Sequence, residues 1–184
     1  MAPGIVVIGC SLGGLNALQL ILRGLPAGFA TPIVLVQHRG KHPDEALSRL
    51  LGAHCALTVR EPLDKERIES GHVYIAPADY HLLVERGTLA LSTEAPINYA
   101  RPAIDVLFES AAESYGAGVI GVVLTGANHD GAAGAARIQA RGGRLLVQDP
   151  NGAESRPMPL AAIAATGVSP TPLERIAQAL VELC

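Results

Sequence analysis

Short apolar runs closed by glycine or a polar residue alternate along this chain with stretches in which leucine and alanine recur at helical spacing. Ile5-Val6-Val7-Ile8, closed by Gly9, predicts a buried strand, and Ile33-Val34-Leu35-Val36, ending at Gln37-His38, predicts a second. Between them Leu15, Leu18 and Leu22 mark one face of a helix over Leu15–Arg23. Pro43 and Asp44 open a helix through Leu51, and strand-like stretches follow at Ala56–Val59 and Val73–Ala76. His81–Glu85 and Thr88–Ser92, joined around Arg86-Gly87, predict a hairpin. Pro102 suits the first turn of a helix running to about Ser114. Val119–Leu124 is a third strong strand, followed by a glycine-rich turn, a helix over Gly131–Arg141 and a strand at Leu145–Val147. Pro159–Ala165 reads as helical, and Thr171-Pro172-Leu173-Glu174 is a capping-box pattern for a terminal helix to about Leu183.

Strands alternating with helices imply an α/β fold with a doubly wound, mainly parallel sheet and helices on both faces, the hairpin being the antiparallel exception. No repeat, charge block or low-complexity linker divides the 184 residues, so a single domain over 1–184 is expected.

Composition narrows the function classes. A formal charge of −3 gives no pull toward nucleic acid or anionic lipid, and two Phe with four Tyr are too few for base-stacking platforms. Three cysteines, Cys10, Cys55 and Cys184, make no even disulfide framework and suit a reducing compartment. The start has no secretory pattern and its apolar run is too short to span a bilayer, so a cytoplasmic location without membrane insertion is expected.

Three polar residues follow the three strongest strands: Ser11, His38 and Asp130. Ligands of open parallel sheets bind at the carboxyl ends of the strands, where residues far apart in sequence can meet. A hydroxyl, an imidazole and a carboxylate are the parts of acyl transfer: the imidazole takes the serine proton, and the carboxylate fixes its tautomer. Gly9-Cys10-Ser11-Leu12-Gly13 fits G-x-S-x-G, a turn that exposes the serine oxygen beside backbone N–H groups able to hold an oxyanion.

Each residue alone also has a plain structural reading: Ser11 and Asp130 as helix caps, His38 as a loop histidine. Cys10 ends the strand and reads as a small buried residue. A dinucleotide fingerprint would want glycine at Ser11 and an acid where Gln37-His38 stand, and no G-K-[ST] follows the first turn. No cofactor is therefore expected. His38 and His42 are four apart, but Pro43 spoils a shared helical face for them, and no metal is expected. Serine on the first strand and histidine before the acid also exclude the common α/β-hydrolase order. Asp79 and His81 read as loop-holding residues, and His129 as a rim residue. Arg101 fits equally a substrate contact and a brace ahead of the Pro102 helix.

Five blocks in one order carry a resemblance: Ile8–Gly14, Val36–His38, Gly71–Pro77, Arg101–Phe108 and Val123–Gly134. With them the chain resembles the catalytic domain of the CheB-type chemotaxis protein-glutamate methylesterases. The resemblance implies a Rossmann-like α/β sandwich and hydrolysis of glutamate methyl esters on receptor helices, often with deamidation of receptor glutamines. The family's nucleophile falls on Ser11, its base on His38, its acid on Asp130 and its oxyanion amide on Ala127. Leu12, Ala127, His129 and Arg39 depart from the residues usual there and reshape the rim; Leu12, Ala127 and Arg101 are the candidate oxyanion or substrate positions. The implied partner is a methylated chemoreceptor-like helix, with control by a separate regulatory protein in place of the family's usual receiver domain, which is not expected in this chain. Two other readings stay open at this stage: a non-catalytic binding module derived from the enzyme, and an esterase for a small-molecule ester.

Overall fold

The computed structural model describes residues 4–41 and 46–184. Among them, six parallel strands form one sheet in the order β3-β4-β2-β1-β7-β8, with β1 at Ile5–Cys10, β2 at Ile33–Gln37, β3 at Thr58–Arg60, β4 at His72–Ile75, β7 at Val119–Val123 and β8 at Arg144–Val147. The predicted hairpin, β5 (His81–Glu85) and β6 (Thr88–Ser92), forms with those bounds but as a separate two-stranded sheet.

Every residue of β1 is buried, as its continuous apolar run requires of a strand covered on both faces. Side chains alternate along it. Val7 joins one core with Val34, Tyr74 and Phe108, under α3 (Ile104–Tyr115), α4 (Ala132–Ala140) and α5 (Pro157–Thr166). Val6 and Ile8 join a second core with Leu18, Ile21 and Leu180, under α1 (Gly14–Arg23) and α6 (Leu173–Leu183). The hairpin adds Leu82, Val84 and Leu89 to the α3 side.

From β1 the chain passes to β2, then to β3 at the edge of the sheet and back to β4 between β3 and β2, and after the hairpin it crosses to β7 and β8 on the other side of β1. Adjacent connections therefore diverge at the carboxyl end of β1, and this switch point is where open parallel sheets carry their ligands.

Three local expectations are corrected. The helix expected to begin at Pro102 starts at Ile104, beyond a cis Arg101-Pro102 bond, because the acceptor for its first N–H groups comes from elsewhere in the fold. The capping box at Thr171 does not form: Pro172 holds the cap position, while Thr171 exchanges backbone hydrogen bonds with Val147 and Asp149 and extends the sheet. The strand expected at Ala56–Val59 lies at Thr58–Arg60. Of the helix expected from Pro43 to Leu51, α2 covers Ala46–Gly52, while Pro43 and Asp44 lie outside the described residues. No helix among the described residues is long and apolar enough to cross a membrane.

Phe108 is fully buried in the core between α3 and the sheet, so Phe108→Ala should cost about 3–5 kcal/mol. Leu160→Ala, half-exposed on α5, should stay within about 0.5 kcal/mol. Urea unfolding midpoints of the two variants check the difference.

Candidate active site

Sheet register brings the candidate residues together. Cys10 pairs with Gln37 across β1 and β2, so Ser11 and His38 are the next residues on neighbouring strands. The ladder continues one step further, with His38 N–H donating to Cys10 O at 3.0 Å and Ser11 N–H donating to Thr125 O, beyond β7, at 2.9 Å. Gln37, which the motif reading quoted without a role, clamps the pair. Its Nε2 donates to Ser11 O and to His38 O, both at 2.9 Å, and its Oε1 lies 3.1 Å from Cys10 Sγ. Thr125 Oγ1 donates to Leu12 O at 2.8 Å and so fixes the far side of the same turn.

Asp130 arrives from the turn after β7 and is fully buried. Its Oδ2 lies 2.7 Å from His38 Nε2. The same oxygen accepts from Ile104 N–H at 2.7 Å, and Oδ1 accepts from Asp105 N–H at 3.0 Å. Asp130 therefore caps α3, not the helix that follows it in sequence. Burial pushes its pKa up, but the His38 hydrogen bond and the two helix N–H groups more than offset this and hold it below the ordinary value. An ionised Asp130 accepts from His38, so His38 carries a proton on Nε2, and in the neutral ring this leaves the lone pair on Nδ1.

The helix that follows Asp130 is capped in return. Asp105, in the first turn of α3, accepts from Gly134 N–H in the first turn of α4 at 2.7 Å. Gly131 lets the chain make the turn between them: its φ is +94°, and a Cβ there would meet Ile104 Cγ2 at 2.7 Å. Asp105 is the site-supporting residue that sequence reading missed. Burial is the main cause of its pKa being pushed up to about 6, the Gly134 hydrogen bond works against this, and the Asp130 charge adds to it.

Ser11 Oγ accepts and donates no hydrogen bond among the described residues, and it faces a cavity of about 500 Å³ shared with His38, Leu12, Gln37 and Glu154. The N–H groups of Leu12 and Ala127 likewise have no protein acceptor among the described residues. Both residues are exposed, as is His129, which makes all three part of the rim. A second opening, about 260 Å³, lies on the other side of His38 and is lined by Lys41, Tyr99, Arg101 and Asn128 among others.

Other candidates are committed elsewhere. The Arg101 guanidinium donates to Asp79 Oδ1 at 3.0 and 2.7 Å and to the carbonyls of Thr93 and Glu94. It braces the loops before α3, which favours the second of its two readings. His81 is buried between Ala95 O and Ala103 N–H, and Arg39 pairs with Glu61. Cys10 is fully buried, and burial pushes its thiol far above its ordinary value, so it stays a neutral strand residue. His42 lies outside the described residues.

A hydroxyl, an imidazole and a buried carboxylate gathered at the switch point of a parallel sheet define an α/β enzyme of serine-hydrolase type. A family model described as CheB methylesterase matches residues 6–180, and the chain belongs to that family. A putative protein-glutamate methylesterase/protein-glutamine glutaminase of Leptospira interrogans (serovar copenhageni, strain Fiocruz L1-130) is 48% identical over 180 residues, covering 97% of this chain and 93% of that protein. The protein-glutamate methylesterase/protein-glutamine glutaminase of Trichodesmium erythraeum is 42% identical over 149 residues, or 79% of this chain and 42% of that longer protein. The crystal structure of the Thermotoga maritima CheB methylesterase catalytic domain matches with a TM-score of 0.92 at 36% identity, covering 100% of both chains.

The two buried aspartates act on stability with opposite signs. Asp130, with its lowered pKa, contributes stability above its ordinary value that is lost as pH falls through the lowered one. Asp105, with its raised pKa, contributes stability that is full below 3.8 and lost as pH rises toward about 6. Asp105→Asn keeps an acceptor for Gly134 N–H and has no charge to bury. The variant's stability relative to the parent should therefore rise between pH 4 and pH 6 and level off above. Parallel thermal melts across that range check this, and a flat difference would contradict it.

Proposed function

We propose that this chain hydrolyses methyl esters of glutamate side chains on a chemoreceptor-type protein helix, releasing methanol, and that it also converts glutamine side chains to glutamate. The observation that carries this reading is the 2.7 Å contact between His38 Nε2 and the buried Asp130, at a cavity shared with Ser11, whose hydroxyl makes no hydrogen bond among the described residues. The names of the relatives supply the substrate class.

Ser11 Oγ attacks the ester carbonyl as His38 Nδ1 takes its proton, and Asp130 stabilises the imidazolium through Nε2. The N–H groups of Leu12 and Ala127 stabilise the oxyanion. His38 returns the proton to the departing methoxide, and methanol leaves. Water then attacks the acyl-serine with His38 again as base, giving the carboxylate and free Ser11. With a glutamine side chain the leaving group is ammonia, and every other step is the same. Thr125 and Gln37 fix the turn, so the nucleophile is positioned before substrate arrives.

The cavity beside Ser11 is open, which supports basal turnover without a phosphodonor, and membership of the CheB family supports action in the cytoplasm. A separate regulatory protein would then act on an already competent site. Leu12 at the rim, 56% exposed, is positioned to pack against a helical substrate.

Methanol release from methylated receptor, measured with the purified chain and no phosphodonor, tests the reading. Release from receptor and cleavage of a small activated ester are both expected. Cleavage of the small ester alone would point to a different substrate, and cleavage of neither would favour a binding module. Ser11→Ala should abolish release, Asp130→Asn should lower it by roughly three to four orders of magnitude, and Cys10→Ala should retain most of it.

A further inference from the structure

Glu154 was not singled out by any motif, yet it lines the cavity that holds Ser11 and His38. The other lining residues, Leu12, Gly13, Gly14, Leu15, Asn16 and Gln37, are uncharged, so among the described residues Glu154 is its one acidic wall. The segment carrying it is pinned on one side to the nucleophile turn. Ser155 N–H donates to Thr125 Oγ1 at 2.8 Å, and Gly126 N–H donates to Ser155 O at 3.1 Å. Thr125 also binds Leu12 O and accepts the Ser11 N–H, so Glu154 and Ser11 are held by the same residue. The Glu154 side chain lies against Gly13, where a Cβ would meet its Oε2 at 2.7 Å. It is exposed, makes no hydrogen bond or ion pair among the described residues, and lines the cavity.

We propose that Glu154 is a specificity-determining residue that selects by charge: it admits the neutral ester or amide and disfavours the carboxylate that the reaction leaves behind. This rests on the proposed hydrolysis, in which a neutral ester and water become a carboxylate, methanol and a proton. A negative charge in the cavity that holds Ser11 leaves the neutral substrate unaffected and repels the carboxylate product, so release is favoured once the acyl-serine is hydrolysed. The same repulsion acts against anionic side chains flanking the ester. Exposed charges are screened over roughly 8 Å at physiological salt, so the preference weakens as salt rises. Glu154 also stands at the amino end of α1, whose first turn carries no acid, and a negative charge there stabilises the helix. That structural role would change the melting temperature without changing a ratio of two ligands.

The experiment is calorimetric binding to the full Ser11→Ala chain of two peptides that differ only in a glutamate γ-methyl ester against the free γ-carboxylate. At low salt the ester peptide is expected to bind about tenfold more tightly, as unit charges several Å apart give in a partly aqueous site. Adding Glu154→Gln should bring the ratio to within about twofold, and Glu154→Lys should reverse it. An unchanged ratio in both variants, or binding of neither peptide to the Ser11→Ala chain, would overturn the proposal. Methanol release from the same ester peptide by the chain with Ser11 intact is read separately. Failure there sinks the hydrolytic reading, whereas the charge preference is still measured by binding.

Discussion

Asp130 is a carboxylate with no exposure to water, and a buried charge is tolerated only when its hydrogen-bonding capacity is filled. Three donors fill it, and they come from two different parts of the chain: the imidazole after β2 and the first two N–H groups of α3. The helix end contributes partial positive charge as well as hydrogen bonds. Most of the site's geometry follows from satisfying this one group. The His38 ring is held in one orientation with Nε2 as donor, and α3 cannot move away from the switch point without leaving a carboxylate half paired. Removing one donor from such a cluster is costly because the remaining charge stays buried.

The exchange of caps between α3 and α4 extends the constraint into the fold. Asp130 precedes α4 and caps α3, while Asp105 begins α3 and caps α4. Gly134 permits the close approach this needs, since a Cβ there would lie 2.5 Å from Phe108 Cβ. The two helices are thus locked at their amino ends, next to the chemistry, with Phe108 packed directly behind. On the other side of the site, Gln37 and Thr125 hold the nucleophile turn through its backbone carbonyls. The two halves meet at β1, which pairs with both β2 and β7.

The apolar runs of β1, β2 and β7 could be read directly, because a strand buried on both faces has little choice but Val, Ile and Leu. Ser11 and His38 were legible with them, as the polar residues just beyond β1 and β2, and Asp130 as the acid of the turn after β7. What was hidden depended on contacts between distant segments. Asp130 read as a cap for its own helix, and nothing local says that its partner is α3. Arg101 left two readings open until Asp79 and two loop carbonyls took its guanidinium. Thr171 has the local pattern of a helix cap, but extending the sheet beside β8 satisfies its backbone groups in another way. Glu154 belongs to no motif and is brought to the site by contacts of its segment with distant residues, among them the hydrogen bonds of Ser155 to Thr125 and Gly126.

In the proposed mechanism the His38–Asp130 pair activates Ser11 and no other nucleophile. Labelling the native chain with a fluorophosphonate and mapping the adduct by mass spectrometry tests this most directly. One adduct is expected, on Ser11, whose rate of formation falls sharply in both His38→Ala and Asp130→Asn while the fold is retained. Labelling of a different residue, or labelling of Ser11 at an unchanged rate in those two variants, would contradict it.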